Sequence, residues 1–137
     1  MLRALATTFV LLVGVSGCGG SDKPARPANL DQARAVVQKF AAAGDASACR
    51  YLGTKALKDV YGSFTEPYEQ ARANCEKASR KFKGEPVRIV KATYLADTGF
   101  AKVLAHDAAE KFSYSVNLKR KPHRPWRIYS INQARLR

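Results

Sequence analysis

The chain has 137 residues, 46% hydrophobic and 26% charged, which suits one folded domain and excludes both a two-domain protein and a disordered one. Lys and Arg outnumber Asp and Glu by 24 to 11, a formal net charge of +13. That excess does not choose a fold, but it favours polyanionic partners: nucleic acid, anionic lipid or acidic wall polymer.

Met1-Leu2-Arg3 is a short basic start, and residues 4–15 form a mostly apolar run. A bilayer core needs roughly 20 apolar residues, so this run is too short to span it. Its length and position fit the apolar core of a secretory signal. Val15-Ser16-Gly17-Cys18 resembles the lipobox of bacterial lipoproteins: an aliphatic residue, two small residues, then Cys. The resemblance implies that residues 1–17 are a signal peptide. It also implies that Cys18 carries a diacylglyceryl group and becomes the new N-terminus. The protein is then expected at the bacterial cell membrane, lipid-anchored, on the extracytoplasmic side. Residues 18–28, small, polar and broken by two prolines, read as a tether, and residues 29–137 as the single domain behind it. With Cys18 acylated, Cys49 and Cys75 remain as an even pair. In an oxidising compartment they are expected to form a disulfide, two buried thiols being the alternative.

The first half of the domain reads as helical. Asn29 is a candidate N-cap with Gln32 three residues on. Leu30, Ala33, Val36, Val37, Phe40 and Ala41 then share one face, and Gly44 stops the helix. Asp45 is expected to cap a short helix through Ala48, Cys49 and Leu52, and residues 55–61 add a turn or two. Thr65 is a candidate cap for the next helix, with Pro67 in its first turn. Tyr68, Ala71, Cys75, Ala78 and Phe82 form one stripe, ended by Gly84.

The second half reads as β-structure. Strands are expected over residues 87–95, 100–106, 111–119 and 126–131, with turns at Asp97-Thr98-Gly99, at residues 107–110 and around Pro122. Three tight connections imply an antiparallel meander. The fold class is therefore α+β: N-terminal helices on a curved four-stranded antiparallel sheet, stapled by one disulfide. Residues 40–45 with Ala48-Cys49, Asp97 with Ala101 and Val103, and Trp126-Arg127-Ile128 resemble the nuclear transport factor two-like cone fold. That superfamily includes ketosteroid isomerases, polyketide cyclases and small lipoproteins. A cystatin-like helix on a sheet and a plain two-layer sandwich are the other architectures compatible with this order of elements.

The resemblance implies an interior that binds a small molecule or moves protons, with Tyr94, Tyr114 and Trp126 as candidate pocket residues. Asp97, His106, Asp107 and Glu110 are the residues suited to acid–base work, but they match no catalytic motif. Their types are equally those of turns, so no catalytic residue is assigned. Only His106 and His123 exist as imidazoles, without zinc-ligand spacing, so no metal or cofactor is expected. Lys119, Arg120, Lys121 and Arg124 form the densest basic run, a hairpin tip suited to anionic headgroups or wall polymer. Phe100 and Leu104 fall on the outer sheet face and are candidates for a homodimer surface. Thr98-Gly99-Phe100-Ala101-Lys102-Val103 echoes an RNA-recognition strand, but it lacks the stacking aromatics, so nucleic acid is not expected as partner. The function expected from the whole sequence is a lipid-anchored envelope protein with a non-catalytic binding or accessory domain. An isomerase- or cyclase-like use of the interior is the alternative.

Overall fold

The computed structural model describes residues 27–95 and 98–136. Residues 1–26, which hold the expected signal peptide, Cys18 and most of the expected tether, the side chain of Asn29, and Asp97 lie outside the described residues.

Three α-helices, α1 (Pro27–Ala42), α2 (Thr54–Tyr61) and α3 (Tyr68–Ala78), precede four strands, β1 (Val87–Leu95), β2 (Phe100–Asp107), β3 (Phe112–Lys119) and β4 (Arg127–Arg135). The strands form one antiparallel meander in the order β1-β2-β3-β4. The α+β layout expected from the sequence is therefore the one observed.

Several boundaries differ for identifiable reasons. Helix α1 begins at Pro27, not at Asn29, and so takes in the last two residues assigned to the tether. Proline is well suited to a first helical turn, because its fixed φ is helical and its missing N–H has no partner there anyway. Thr65 does not cap α3. Its hydroxyl lies 3.3 Å from that of Ser63, and Pro67 precedes the helix without a side-chain cap. Helix α3 also stops at Ala78, followed by a 3-10 turn over Ser79–Lys81, so Phe82 reaches the core from extended backbone. Gly84 serves a close approach instead of a helix end: a Cβ there would stand 2.1 Å from the Ala42 carbonyl oxygen. Strand β4 runs four residues past Ile131. The Asp45 cap is as expected, its carboxylate accepting from the Ser47 N–H at 2.8 Å ahead of the 3-10 helix Ala46–Tyr51.

The core lies between the helices and one face of the sheet. Ala33 and Val37 of α1, Ala56 and Leu57 of α2, and Ala71 and Cys75 of α3 meet Ala101, Val103 and Ala105 of β2, Val116 and Leu118 of β3, and Ile128 of β4. Alanines on both layers let backbone approach backbone, and burying each larger aliphatic side chain contributes about 1.5–3 kcal/mol. Cys49 and Cys75 form the expected disulfide, tying the 3-10 helix to α3. Two β-bulges bend the sheet. In β1, Ile89 pairs with Ala105 and Lys91 with Leu104, leaving Val90 as the extra residue. In β4, Ile128 pairs with Leu118 and Ser130 with Asn117, leaving Tyr129 extra.

Candidate functional site

The sheet ends at β4, and its outer edge is met early by the helical layer. Leu52 makes a single parallel bridge to Ile128, and the Gly53 N–H donates to the Ile128 carbonyl at 2.8 Å. A Cβ at Gly53 would stand 3.1 Å from that oxygen, so glycine lets the two backbones meet without displacement. Helix α2 springs from this contact and runs beside β4. The chain then turns through Ser63–Glu66 into α3, while on the other side the β3–β4 hairpin projects past the end of the sheet.

These three segments enclose an open groove of about 920 Å³. Its floor is the backbone contact of Leu52 and Gly53 with Ile128, the Leu52 and Ile128 side chains being buried, and its walls are Tyr68 and Tyr129, with Phe64 at the lip and Pro125 on the hairpin side. Six of its lining side chains are basic (Lys55, Lys58, Lys119, Lys121, Arg124 and Arg127) and one, Asp59, is acidic. Asp59 is paired with Lys55, and that carboxylate holds the Lys55 ammonium above its usual pKa. Lys55 and Lys119 both lie over the Tyr129 ring, 5.4 and 5.9 Å from its centroid. Arg127 donates to the Trp126 carbonyl at 3.2 Å. Lys58, Lys121 and Arg124 form no ion pair among the described residues. Phe64 is 97% exposed.

The basic run of the hairpin is thus divided by the fold. Lys119, Lys121 and Arg124 reach the groove. Arg120 instead lays its guanidinium 5.2 Å from the Trp126 ring centroid, holding the hairpin down on the core. Lys55, Lys58, Phe64 and Arg127 complete the site and were not singled out as site residues in the sequence; Tyr68, which stood out there as an aromatic of the α3 stripe able to line a pocket, does line the groove. Lys55 and Lys58 are one helical turn apart on α2, opposite the buried Leu57. Phe64 is an isolated aromatic between turn residues, and those two features are the signals that sequence reasoning had available.

The three candidate pocket aromatics do not gather at one place. Tyr94 meets Trp126 edge-on at 6.2 Å. Tyr114 stands opposite Ala105, four residues along β3 from Leu118, the residue beside Tyr94's partner Ala101. That separation is roughly 13 Å at strand rise. None of the three lines the groove. Trp126 is 2% exposed, and its indole N–H has no hydrogen-bond partner among the described residues.

Of the candidate acid–base residues, His106, Asp107 and Glu110 are engaged at the opposite end of the sheet. The Asp107 carboxylate accepts from the Phe112 N–H at 2.8 Å and shapes the β2–β3 turn, where Glu110 adopts a positive φ of 54°. Glu110 accepts from Arg88 at 2.5 Å, and Arg88 also lies 3.4 Å from His106 Nδ1. His106 is on the outer face, out of phase with buried Ala101, Val103 and Ala105. These contacts are structural, and they bring no acid–base pair into the interior. Phe100 is on the same outer face, covered edge-on by Tyr129 at 5.2 Å and by the Lys119 ammonium at 5.1 Å. Among the described residues no group of three metal-ligating side chains gathers, and no helix is long and apolar enough to cross a membrane.

No family profile matches the chain, and no curated protein matches it. Among solved structures it is similar to an NTF-2-like protein of unknown function from Silicibacter pomeroyi DSS-3, at 18% identity and a TM-score of 0.48, covering 80% of this chain and 94% of that one. The helix-and-sheet arrangement described above rests on this chain's own geometry.

Proposed function

We propose that this is a lipid-anchored protein of the bacterial envelope, held through Cys18 on the extracytoplasmic side, whose domain is a non-catalytic binding or accessory module for anionic material. Anionic lipid headgroups and acidic wall polymer are the partners whose chemistry fits. The observation that carries the binding half of this reading is the imbalance at the β4 edge. Six basic side chains line one concavity, and its single acid is already paired. Charges of one sign facing an open concavity raise the local concentration of the opposite sign. The anchoring half is supported by the lipobox-like Val15-Ser16-Gly17-Cys18 behind an apolar N-terminal run. Two acyl chains give stable attachment where one is marginal.

Two measurements test the reading. Mass spectrometry of the chain from bacterial membranes is expected to show an N-terminal acylated Cys18, and Cys18→Ser is expected to release the protein from the membrane fraction. Vesicles of neutral and of anionic lipid, offered to the Cys18→Ser chain, are expected to differ. Only the anionic ones bind, and binding falls steeply as salt rises from about 0.05 to about 0.5 M because screening shortens the reach of exposed charges. An unmodified Cys18 would end the anchoring half, and equal binding to both vesicles the anionic half.

A further inference from the structure

Resting on the binding reading above, we propose that the groove is a site for a single-chain anionic amphiphile, a molecule with one phosphate or carboxylate head on an apolar tail. Two chemistries meet in this one concavity. Lys58, Lys121 and Arg124 present ammonium and guanidinium groups that no acid of the described residues neutralises. The same groove carries apolar surface from the half-buried rings of Tyr68 and Tyr129 and from exposed Pro125.

Phe64 at the lip decides between ligand types. Its ring is 97% exposed, in a turn of otherwise polar residues and proline. A bare polyanion would neutralise the cations and leave the ring and the apolar walls in water. A neutral apolar molecule would cover the walls and desolvate cations without pairing them, which is unfavourable. A molecule with an acidic head and an apolar tail satisfies both halves. The volume of about 920 Å³ lies in the range of small-molecule sites. A headgroup in a flat bilayer reaches the rim of such a groove, whereas a free amphiphile can lay its tail along the walls. Gly53 lies directly on β4, its N–H on the Ile128 carbonyl, and adds no side chain to the floor.

The test uses the full chain carrying Cys18→Ser, purified without detergent, with octyl phosphate kept below its micelle concentration. Amide NMR shifts are expected to saturate and to centre on Phe64, Tyr68 and Arg124. Octyl phosphate is expected to bind at least tenfold more tightly than inorganic phosphate or octanol. Phe64→Ser, a change at a fully exposed ring, is expected to weaken octyl phosphate about tenfold while leaving inorganic phosphate unchanged. Lys121→Glu with Arg124→Glu is expected to weaken octyl phosphate at least as much. The proposal is overturned if inorganic phosphate binds as tightly as octyl phosphate, or if no saturable shifts appear in the groove. Anionic vesicles, measured alongside, separate this failure from that of the broader reading. Vesicle binding that persists without octyl phosphate binding removes the amphiphile site alone. Loss of both removes the anionic binding role.

Discussion

The two hairpins that flank β3 carry charge in opposite ways. At the β2–β3 turn the charges close on one another: Asp107 holds the Phe112 N–H, Glu110 holds Arg88, and His106 sits beside that guanidinium. At the β3–β4 turn Arg120 is held on Trp126, while Lys121 and Arg124 face a groove whose one acid, Asp59, is paired with Lys55. One turn uses charge to define its own shape, and the other directs it outwards. The difference marks out one candidate face where net charge alone does not, since a formal charge of +13 is a property of the whole chain.

The comparison is sharpened most by removing what holds the outward-facing hairpin down. Trp126→Ala deletes a side chain that is 2% exposed and is expected to cost about 3–5 kcal/mol, read as a shift of the urea midpoint. Groove binding should fall with it, because Arg120 loses its platform. Reducing the Cys49–Cys75 bridge is expected to cost about 3–4 kcal/mol in the chain-entropy account for a separation of 26 residues. Anion binding by the oxidised and the reduced but still folded protein should be alike, since neither cysteine lines the groove. At the inward-facing turn, Asp107→Ala is expected to cost about 0.5–1.5 kcal/mol through the lost hydrogen bond to Phe112. Glu110→Gln should cost less than about 1 kcal/mol, as its pair with Arg88 is exposed. Neither should alter anion binding; a change in either case would break the distinction between the two turns.

The smallest effect belongs to Asp45, far from both turns. Hydrogen bonds from Ser47 hold its carboxyl below the ordinary carboxylate range. A folded-state pKa that is depressed gives stability present above the unfolded value and lost as pH falls through the folded one. The cap should therefore be intact at neutral pH and fade below about pH 4. An NMR titration of Asp45 checks the direction, and Ser47→Ala, which keeps the backbone N–H, should move the midpoint only part of the way back.

Much of the fold was legible because its signals are local. Ala101, Val103 and Ala105 alternate without interruption, Asp45 precedes a short helix, and the cysteine pairing follows from parity once Cys18 is set aside. The bulges at Val90 and Tyr129 were not legible. Each is one extra residue whose place is set by the neighbouring strand, and each reverses the alternation beyond it. The basic hairpin was visible as a run of charges, but its division between Arg120 and the groove depends on where Trp126 lies. The groove itself joins α2 and the adjoining turn holding Phe64 to a hairpin more than fifty residues further along the chain, so no short window of sequence contains it. The interior aromatics were singled out on resemblance, and the register of β3 separates Tyr114 from Tyr94 and Trp126.

The central claim is that the outward-facing cations bind because of their place and not merely because of their sign. The direct test compares two double variants of equal charge change in the Cys18→Ser chain: Lys121→Glu with Arg124→Glu at the groove, and Lys83→Glu with Lys102→Glu on exposed positions elsewhere. Binding to anionic vesicles should fall at least tenfold for the groove pair, at about 1 kcal/mol for each basic residue removed from the surface, and only slightly for the other pair. Equal losses would mean that net charge alone drives binding, and would contradict the account.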